Sequence, residues 1–340
     1  MSARLFEVIA PDEETAVVRD IARNHGADDV IVGAATGDGR RVIRIAVGAA
    51  DRQALLDSLQ MALSGDDKWR IIILPVEATV PRIREDREAD EAGEKTGQGV
   101  AKRKILSGMT REELSAQLSG GAELDGNFLL LVALSVVVAA IGLIQNNVAV
   151  VIGAMVIAPL LGPNLALAFG GAVGAKSLMV QAMRTNLVGI GFTLLLSIGI
   201  GWLVGPEASS EELMARTRVD LAGVALALAS GAAAALSLTN GLSSTLVGVM
   251  VAVALLPPAT AIGIMLGSAR WDLALGAAML LAVNVVSVNL SAQAVFRLKG
   301  IRPRTWFDDG RSGGFAWATI AFWTCLLIAL MVVTVRMNGG

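Results

Sequence analysis

The stretch Val151–Gly170 (VIGAMVIAPLLGPNLALAFG) has the length of a membrane-spanning helix but contains helix-breaking residues near its middle. A transmembrane helix needs about 20 predominantly apolar residues. Pro159, Gly162 and Pro163 interrupt this one, and a proline removes a backbone N–H and leaves carbonyl groups without partners. In hydrocarbon such groups are tolerated only where they face protein or a water-filled cavity. The sequence therefore predicts a broken membrane helix that lines a site.

A similar stretch follows 95 residues later, Leu246–Met265, with Pro257 and Pro258 near its middle. Aligned without gaps, residues 125–170 and 220–265 are identical at 13 of 46 positions, including Asp125/Asp220, Gly153/Gly248, Met155/Met250 and Pro163/Pro258. Each copy holds three predicted spans, so the second copy enters the membrane from the opposite side. This pattern predicts a 3+3 inverted repeat with paired broken helices, as in many secondary transporters.

Hydropathy supports a polytopic α-helical membrane protein, because 54% of the residues are hydrophobic and the mean hydropathy is +0.63. The transmembrane domain is predicted over residues 125–340, with repeat one at about 125–204, repeat two at about 220–297 and an extra helix at 315–335. The seven predicted spans are Gly126–Ile144, Val148–Gly170, Asn186–Val204, Leu221–Leu238, Thr245–Leu266, Leu273–Ala294 and Phe315–Val335.

Basic residues predict the orientation of these spans. The first twenty residues lack the apolar core of a signal peptide, so we expect the N-terminus in the cytoplasm. The loop after span two, with Lys176 and Arg184, and the basic loop after span six are then cytoplasmic, as the positive-inside rule requires. The acidic loop Pro206–Asp220 and the C-terminus fall outside.

Residues 1–78 read as a separate α+β domain with the order β-α-β-β-α-β. Gly37-Asp38-Gly39 marks a hairpin between two β-branched runs, and amphipathic helices are predicted at Glu13–Asn24 and Arg52–Leu63. This order predicts a ferredoxin-like cytoplasmic domain. Residues 79–124 read as a charged linker, with the mixed-charge segment Arg82–Lys95 and the basic patch Lys102–Lys104, followed by a juxtamembrane helix. Thr110 and Glu113 have the spacing of a capping box at the start of that helix.

The predicted spans contain polar residues but no Asp, Glu, Lys, Arg or His, so proton coupling through a buried carboxylate is disfavoured. Backbone carbonyls and amides near the breaks are suited to an ion such as Na⁺ or K⁺, and helix N-termini to a small anion. The chain has one cysteine and one histidine, which argues against an enzyme, a metal centre or a cofactor. The candidate substrate or ion ligands are Pro159, Gly162, Pro163, Asn164, Pro257, Pro258, Thr260, Asn284, Ser287 and Asn289.

The run GLIQNNVAVVIGAMVIAPLLGPNLALAFG, preceded by TREEL and followed by an LLPP segment, resembles a bacterial family known as an uncharacterised hydrophobic domain, or domain of unknown function 389. The likeness covers roughly residues 110–300. In the second copy Ala254 stands for the first proline and Pro257 for Gly162, so the two breaks need not be identical. The resemblance implies a bacterial inner-membrane protein and implies no particular activity.

Two functions are consistent with the sequence. One is a secondary transporter or channel for a small solute or ion, with its site at the paired breaks and a regulatory or assembly role for the cytoplasmic domain. The other is a membrane-anchored sensor or oligomeric scaffold, whose soluble domain binds a metabolite or partner. In either case we expect a homo-oligomer in a lipid bilayer, since small-residue-rich helices pack closely. The net charge of −2 does not favour nucleic acid as a partner.

Overall fold

The computed structural model describes residues 4–27, 29–48, 52–64, 68–76, 109–205, 210–241, 244–301 and 311–338, without the side chains of 244–253, 311–316 and 337–338. The chain divides into two compact units, Met1–Glu113 and Leu114–Gly340. The predicted charged segment Arg82–Lys95 and basic patch Lys102–Lys104 lie outside the described residues.

The N-terminal unit contains a small antiparallel sheet with the strand order β2-β3-β1-β4. Its elements are β1 (Arg4–Pro11), α1 (Thr15–Asn24), β2 (Asp29–Ala35), β3 (Arg40–Val47), α2 (Arg52–Ala62) and β4 (Arg70–Pro75), with a 3₁₀ turn at Asp12–Glu14. Alternate strand residues such as Phe6 and Ile45 point to one face, where they are buried with Val18 and Leu55 of the two helices. The period-two pattern of the strands thus defines a single core on one side of the sheet.

The β2–β3 hairpin turns where the glycines predict it. Arg40 Nε donates to Asp38 Oδ2 at 2.7 Å, and the Thr36 hydroxyl also donates to this carboxylate. These hydrogen bonds, that from Arg40 above all, hold the pKa of Asp38 well below its usual value. Gly39 has φ +77°, which favours glycine.

Helix α3 (Arg111–Gly121) begins with the predicted capping box, which the structure confirms. Thr110 N donates to Glu113 Oε2 at 2.8 Å, and Glu113 N donates to Thr110 Oγ1 at 3.2 Å. The other oxygen of Glu113 accepts from Arg4 Nε at 2.7 Å. Glu113 therefore both starts the helix and pairs with Arg4 of strand β1, a contact between two residues of the N-terminal unit.

The second unit is helical in its described residues. Its helices are α4 (Gly126–Ile144), α5 (Val148–Ile157), α6 (Leu161–Val173), α7 (Lys176–Val204), α8 (Glu211–Ala215), α9 (Leu221–Thr239), α10 (Ser244–Gly267), α11 (Trp271–Leu298) and α12 (Arg311–Asn338). By length and composition, five described helices are suited to cross a membrane (α4, α7, α9, α11 and Trp317–Arg336 of α12), and the bent pair α5 and α6 makes a sixth. The remaining predicted span, the fifth (Thr245–Leu266), lies in α10, which has described side chains only from Ala254 onward.

Two predicted loops are partly helical. Helix α7 starts at Lys176, ten residues before the predicted span, and α11 continues to Leu298, so Arg184 and Arg297 lie in helices. At 1.5 Å per residue, the 29 residues of α7 extend about 43 Å, against about 30 Å for the hydrocarbon core. The apolar pattern in the sequence marks only the part of a helix that is suited to lipid contact. The helical hydrogen bonding of the backbone continues beyond that part into segments with charged side chains.

The two proline-rich stretches differ in structure. The first is a broken helix, as predicted, but the prediction of a break in the second stretch is wrong. Between α5 and α6 the chain bends by 60°. Ala158 has an extended backbone (φ −64°, ψ 122°), because the ring of Pro159 disfavours helical geometry in the preceding residue. Helix α10, in contrast, runs unbroken through Pro257 and Pro258.

Helix boundaries in the second unit coincide on the same shift of 95 residues that relates the sequences. Asp125 and Asp220 cap α4 and α9, each accepting a hydrogen bond of 2.7 Å from the backbone N–H three residues later. The described residues with positive φ in this unit form three pairs at that shift: Asn146/Gly241, Gly174/Ala269 and Gly205/Gly300. The turns between helices therefore correspond as closely as the helices themselves.

The helices of the first half of this unit (α4–α7) and of the second half (α9–α11) pack on one another in a reciprocal way. Gly263 and Gly267 of α10 lie against Ser197 and Ile198 of α7, so closely that a Cβ on either glycine would overlap them. In the other direction, α6 packs on α11, where a Cβ on Gly171 would overlap Gln293. On the shift of 95 residues, Ile198 and Gln293 are equivalent positions. The second helix of each half thus contacts the third helix of the other half.

Candidate functional site

The start of α6 is closely packed. Pro163 lies in the first turn of the helix, where a missing N–H leaves no helical hydrogen bond unmade. Gly162 lies against the backbone of Gly121 at the end of α3, and a Cβ on Gly162 would overlap the carbonyl oxygen of Gly121. The carbonyl end of one helix therefore faces the N–H end of another, an arrangement that the two helix dipoles favour.

Asn164, one residue after Pro163, connects three helices through its buried amide. Its Nδ2 donates to Leu160 O at 2.9 Å and to Oδ1 of Asn186, on α7, at 3.0 Å. Its Oδ1 accepts a longer hydrogen bond, 3.5 Å, from Nδ2 of Asn289 on α11. All three asparagines are buried. This amide chain, Asn186–Asn164–Asn289, joins helices of both halves beside the broken helix.

Asn284, also on α11, explains why α10 remains continuous at its prolines. Pro258 has no N–H to offer to the carbonyl of Ala254, one turn earlier. Asn284 Nδ2 donates to that carbonyl at 2.8 Å instead. Because a neighbouring helix supplies the missing hydrogen bond, the backbone need not bend to expose the carbonyl.

Several buried polar atoms of α10 and α11 have no hydrogen-bond partner among the described residues. They are Thr260 Oγ1, Asn284 Oδ1, Ser287 Oγ, Asn289 Oδ1 and Gln293 Oε1. Asn284 and Ser287 share the face of α11 toward α10, whereas Asn289 and Gln293 share the face toward α6 and α12. An unpartnered polar atom in a buried site costs about 1–3 kcal/mol, so these atoms indicate bound water or a ligand.

The structure brings some of the predicted site residues together. Asn164 and Asn289 are hydrogen-bonded, and Asn284 lies beside Pro258 through Ala254. Pro159 lies at the bend, and Gly162 and Pro163 pack in the first turn of α6. Thr260 and Ser287 make no side-chain hydrogen bond among the described residues, and Pro257 has no side-chain donor or acceptor, so hydrogen bonds connect none of these three to the amide chain. Each of these ten residues remains a proposed ligand.

Asn186 and Gln293 were not predicted. Asn186 stood at the end of a predicted span, where an amide is ordinarily solvated, but α7 begins earlier and buries it. Gln293 lies four residues after Asn289 in a predicted span, and this helical spacing of two amides was a signal in the sequence. Its Nε2 donates to Thr319 Oγ1 of α12 at 2.8 Å.

Comparison with known proteins places the chain in a family. Residues 155–290 match the family described as "Domain of unknown function (DUF389)". An uncharacterised protein of Methanocaldococcus jannaschii is 30% identical over 293 residues, which is 86% of this chain and 87% of that protein. The chain belongs to the DUF389 family. No solved structure matches it significantly.

The DUF389 match includes α6, α7, α9, α10 and most of α11, and so contains Asn164, Asn186, Asn284 and Asn289. Gln293 and helix α12 follow its last matched residue. Since the family has no described activity, the function of this chain rests on the geometry of its buried amides.

Proposed function

We propose that the membrane unit is a secondary transporter or channel for a small solute or ion, whose site lies where the break between α5 and α6 meets α11. The observation that carries this proposal is the buried amide chain Asn186–Asn164–Asn289 beside the broken helix. Irregular backbone and buried polar groups at membrane depth are typical of transport sites. The proposal assigns the unit no catalytic reaction.

The same proposal includes a 3+3 inverted repeat, α4–α7 and α9–α11, followed by α12, with α5 and α6 forming one bent span. The corresponding caps and positive-φ turns at the shift of 95 residues support two copies. The reciprocal packing of α10 on α7 and of α6 on α11 is expected for copies related by a two-fold axis. Three spans in each copy invert the second copy relative to the first.

This repeat, with a seventh span, sets the topology that we propose: N-terminus in the cytoplasm, C-terminus outside, in a bacterial inner membrane. Lys176 and Arg184 at the start of α7 and Lys299 after α11 would then lie on the cytoplasmic side. Described apolar side chains of α12, such as Trp317 and Ile328, are exposed and would contact lipid or another copy in a homo-oligomer.

For the N-terminal unit we propose a ferredoxin-like fold with a regulatory or assembly role. The strand order β2-β3-β1-β4, the element order β-α-β-β-α-β and the shared core with both helices support that fold. The role is an analogy from the fold.

Flux measurements in proteoliposomes test the transport proposal. A panel of radiolabelled solutes and inorganic ions is screened with the wild-type protein, and positive substrates are repeated with Asn164→Leu, Pro163→Ala and Pro258→Ala. We expect flux to fall at least about tenfold in Asn164→Leu, since the loss of a buried hydrogen-bond hub costs more than about 1.4 kcal/mol. Ser135→Ala is the matched control, because its buried hydroxyl bonds only Leu131 O in its own helix.

Absence of flux for the whole panel would contradict transport. The sensor or scaffold function would then explain the chain better, and loss of the N-terminal unit would abolish function while the proline variants remain active.

A further inference from the structure

Asn289 and Gln293 present a pair of buried amide oxygens that lack any hydrogen-bond donor among the described residues. Both side chains are fully buried, and their Oδ1 and Oε1 atoms are unpartnered. Residues four apart on a helix are neighbours, with about 5–6 Å between their Cβ atoms, so the two side chains lie on the same face of α11 in adjacent turns. Asn164 Oδ1 is nearby, because it accepts a long hydrogen bond from Asn289 Nδ2 and keeps a second lone pair.

The direction of these amides is determined by their partners. Asn289 Nδ2 donates to Val285 O at 2.9 Å, and a backbone carbonyl can only accept a hydrogen bond. Gln293 Nε2 donates to Thr319 Oγ1 at 2.8 Å, while that hydroxyl donates to Gly171 O at 3.4 Å. Rotating the Asn289 amide would place its oxygen against the Val285 carbonyl, which are two acceptors. The Gln293 amide keeps Nε2 toward Thr319 because that hydroxyl donates its proton to Gly171 O and accepts from Nε2. In this arrangement Asn289 Oδ1 and Gln293 Oε1 are the atoms left without a partner.

A group of acceptors selects the charge of its ligand. Lone pairs without donors repel an anion and attract a cation. The other position suited to an anion, the N-terminus of α6, is covered by the Gly121 backbone. A divalent cation ordinarily requires carboxylates, and the acidic residue in the described parts of α6 and α11, Asp272, lies about 25 Å along the helix from Asn289. Neutral oxygens are instead characteristic of Na⁺ and K⁺ sites.

We propose that Asn289 Oδ1 and Gln293 Oε1, with Asn164 Oδ1, bind a monovalent inorganic cation, Na⁺ or K⁺. The proposal rests on the proposed function and names the ligand class of the same site. Arg297, one turn beyond Gln293, holds its guanidinium 4.8 Å from the centre of the Trp317 ring. This fixed positive charge limits affinity, so we expect binding in the millimolar range.

Thermal unfolding of the full-length detergent-purified protein tests the proposal. NaCl and KCl are titrated against N-methyl-D-glucamine chloride at constant ionic strength, with NH₄Cl, CaCl₂ and a polyol as further arms. We expect a saturable rise in the melting temperature with Na⁺ or K⁺ and none with N-methyl-D-glucamine.

Two substitutions at one position make opposite predictions. Gln293→Met removes the oxygen and should weaken cation binding at least about tenfold. Gln293→Glu keeps an oxygen and adds a charge, so it should bind the cation more tightly and respond to Ca²⁺. Gln181→Met makes the same change at a glutamine outside the site, whose Nε2 donates to Ser119 O, and should leave the wild-type response intact.

Three results would overturn the proposal. The first is an identical response to all salts, which would mean that water binds the oxygens. The others are binding of ammonium or a polyol but not of Na⁺ or K⁺, and a Gln293→Glu protein that binds the cation more weakly than wild type. Transport of a neutral solute without cation binding would overturn this inference and leave the proposed function standing. Cation binding without flux for any solute would overturn the proposed function and leave this inference standing.

Discussion

The hydrogen bond from Asn284 to Ala254 allows a quantitative test of how α10 accommodates its prolines. Asn284 and Ala254 are 7% and 6% exposed, so water has little access to the carbonyl that Pro258 leaves free. Replacing Asn284 by leucine, which has a similar volume, removes a hydrogen bond and leaves that carbonyl unpartnered, at a cost of about 1–3 kcal/mol. The same substitution also removes the unpartnered Oδ1 of Asn284, which offsets part of the loss.

A double-mutant cycle separates these contributions. In the Pro258→Ala background, residue 258 has a backbone N–H that can donate to the Ala254 carbonyl, so the amide of Asn284 is no longer needed. The Asn284→Leu substitution also changes the free energy of unfolding by burying the apolar leucine side chain and by removing Oδ1. These two contributions are the same in both backgrounds and cancel in the cycle. The remaining coupling free energy is that of the orphaned carbonyl, and we expect about 1–2 kcal/mol.

Reversible unfolding in mixed dodecylmaltoside and SDS micelles, followed by tryptophan fluorescence, gives the four free energies of the cycle. The control cycle pairs Asn284→Leu with Pro257→Ala, because the N–H missing at Pro257 would have bonded Val253 O and not Ala254 O. Its coupling should be close to zero. A coupling below about 0.5 kcal/mol in the Pro258 cycle, the usual limit of additivity, would refute this account of the unbroken helix.

Two further predictions concern the close packing and the turns of the second unit. Ala269 has φ +57° and its counterpart Gly174 has φ +75°, a backbone conformation that is strained for residues with a Cβ. Ala269→Gly should therefore stabilise the protein by about 0.5–1 kcal/mol, and Gly174→Ala should destabilise it by about 1 kcal/mol. Equal effects of the two changes in the same micelle unfolding assay would contradict this prediction. Gly263→Ala should lower the free energy of unfolding by about 1–3 kcal/mol, because the new Cβ would overlap Ser197. The control is Gly153→Ala, whose Cβ meets no atom within 4 Å and should be neutral or stabilising. A Gly263→Ala protein as stable as the wild type would show that α7 and α10 are not in close contact.

Helices and turns of this chain were the parts most accessible from sequence. Apolar length marked the helices, and a capping box marked the start of α3, because these signals depend on residues a few positions apart. The ends of α7 and α11 were missed, since an apolar pattern stops where lipid contact stops while the helix continues. The second proline pair was misjudged because its outcome depends on Asn284, thirty residues away in sequence.

The candidate site was less accessible for the same reason. Asn164 and Asn289 were recognisable as polar residues in apolar spans, but the hydrogen bond between them joins positions 125 residues apart. Asn186 and Gln293 take part in the network because of where α7 and α12 pack. Which amide oxygens remain unpartnered depends on every neighbour at once, and no local sequence pattern carries that information.

The comparison of the two halves separates scaffold from site. Features that the fold itself needs recur at the shift of 95 residues: the caps Asp125 and Asp220, and the buried hydroxyls Ser135 and Ser230. The buried amides do not recur, because Asn164, Asn186, Asn284, Asn289 and Gln293 correspond to Ala259, Leu281, Gly189, Leu194 and Ile198. At each equivalent position the chain has an apolar residue, so the corresponding helix contacts are made without an amide there. A network of buried amides that costs stability and is absent from the equivalent contacts of the same chain is better explained by a ligand than by packing.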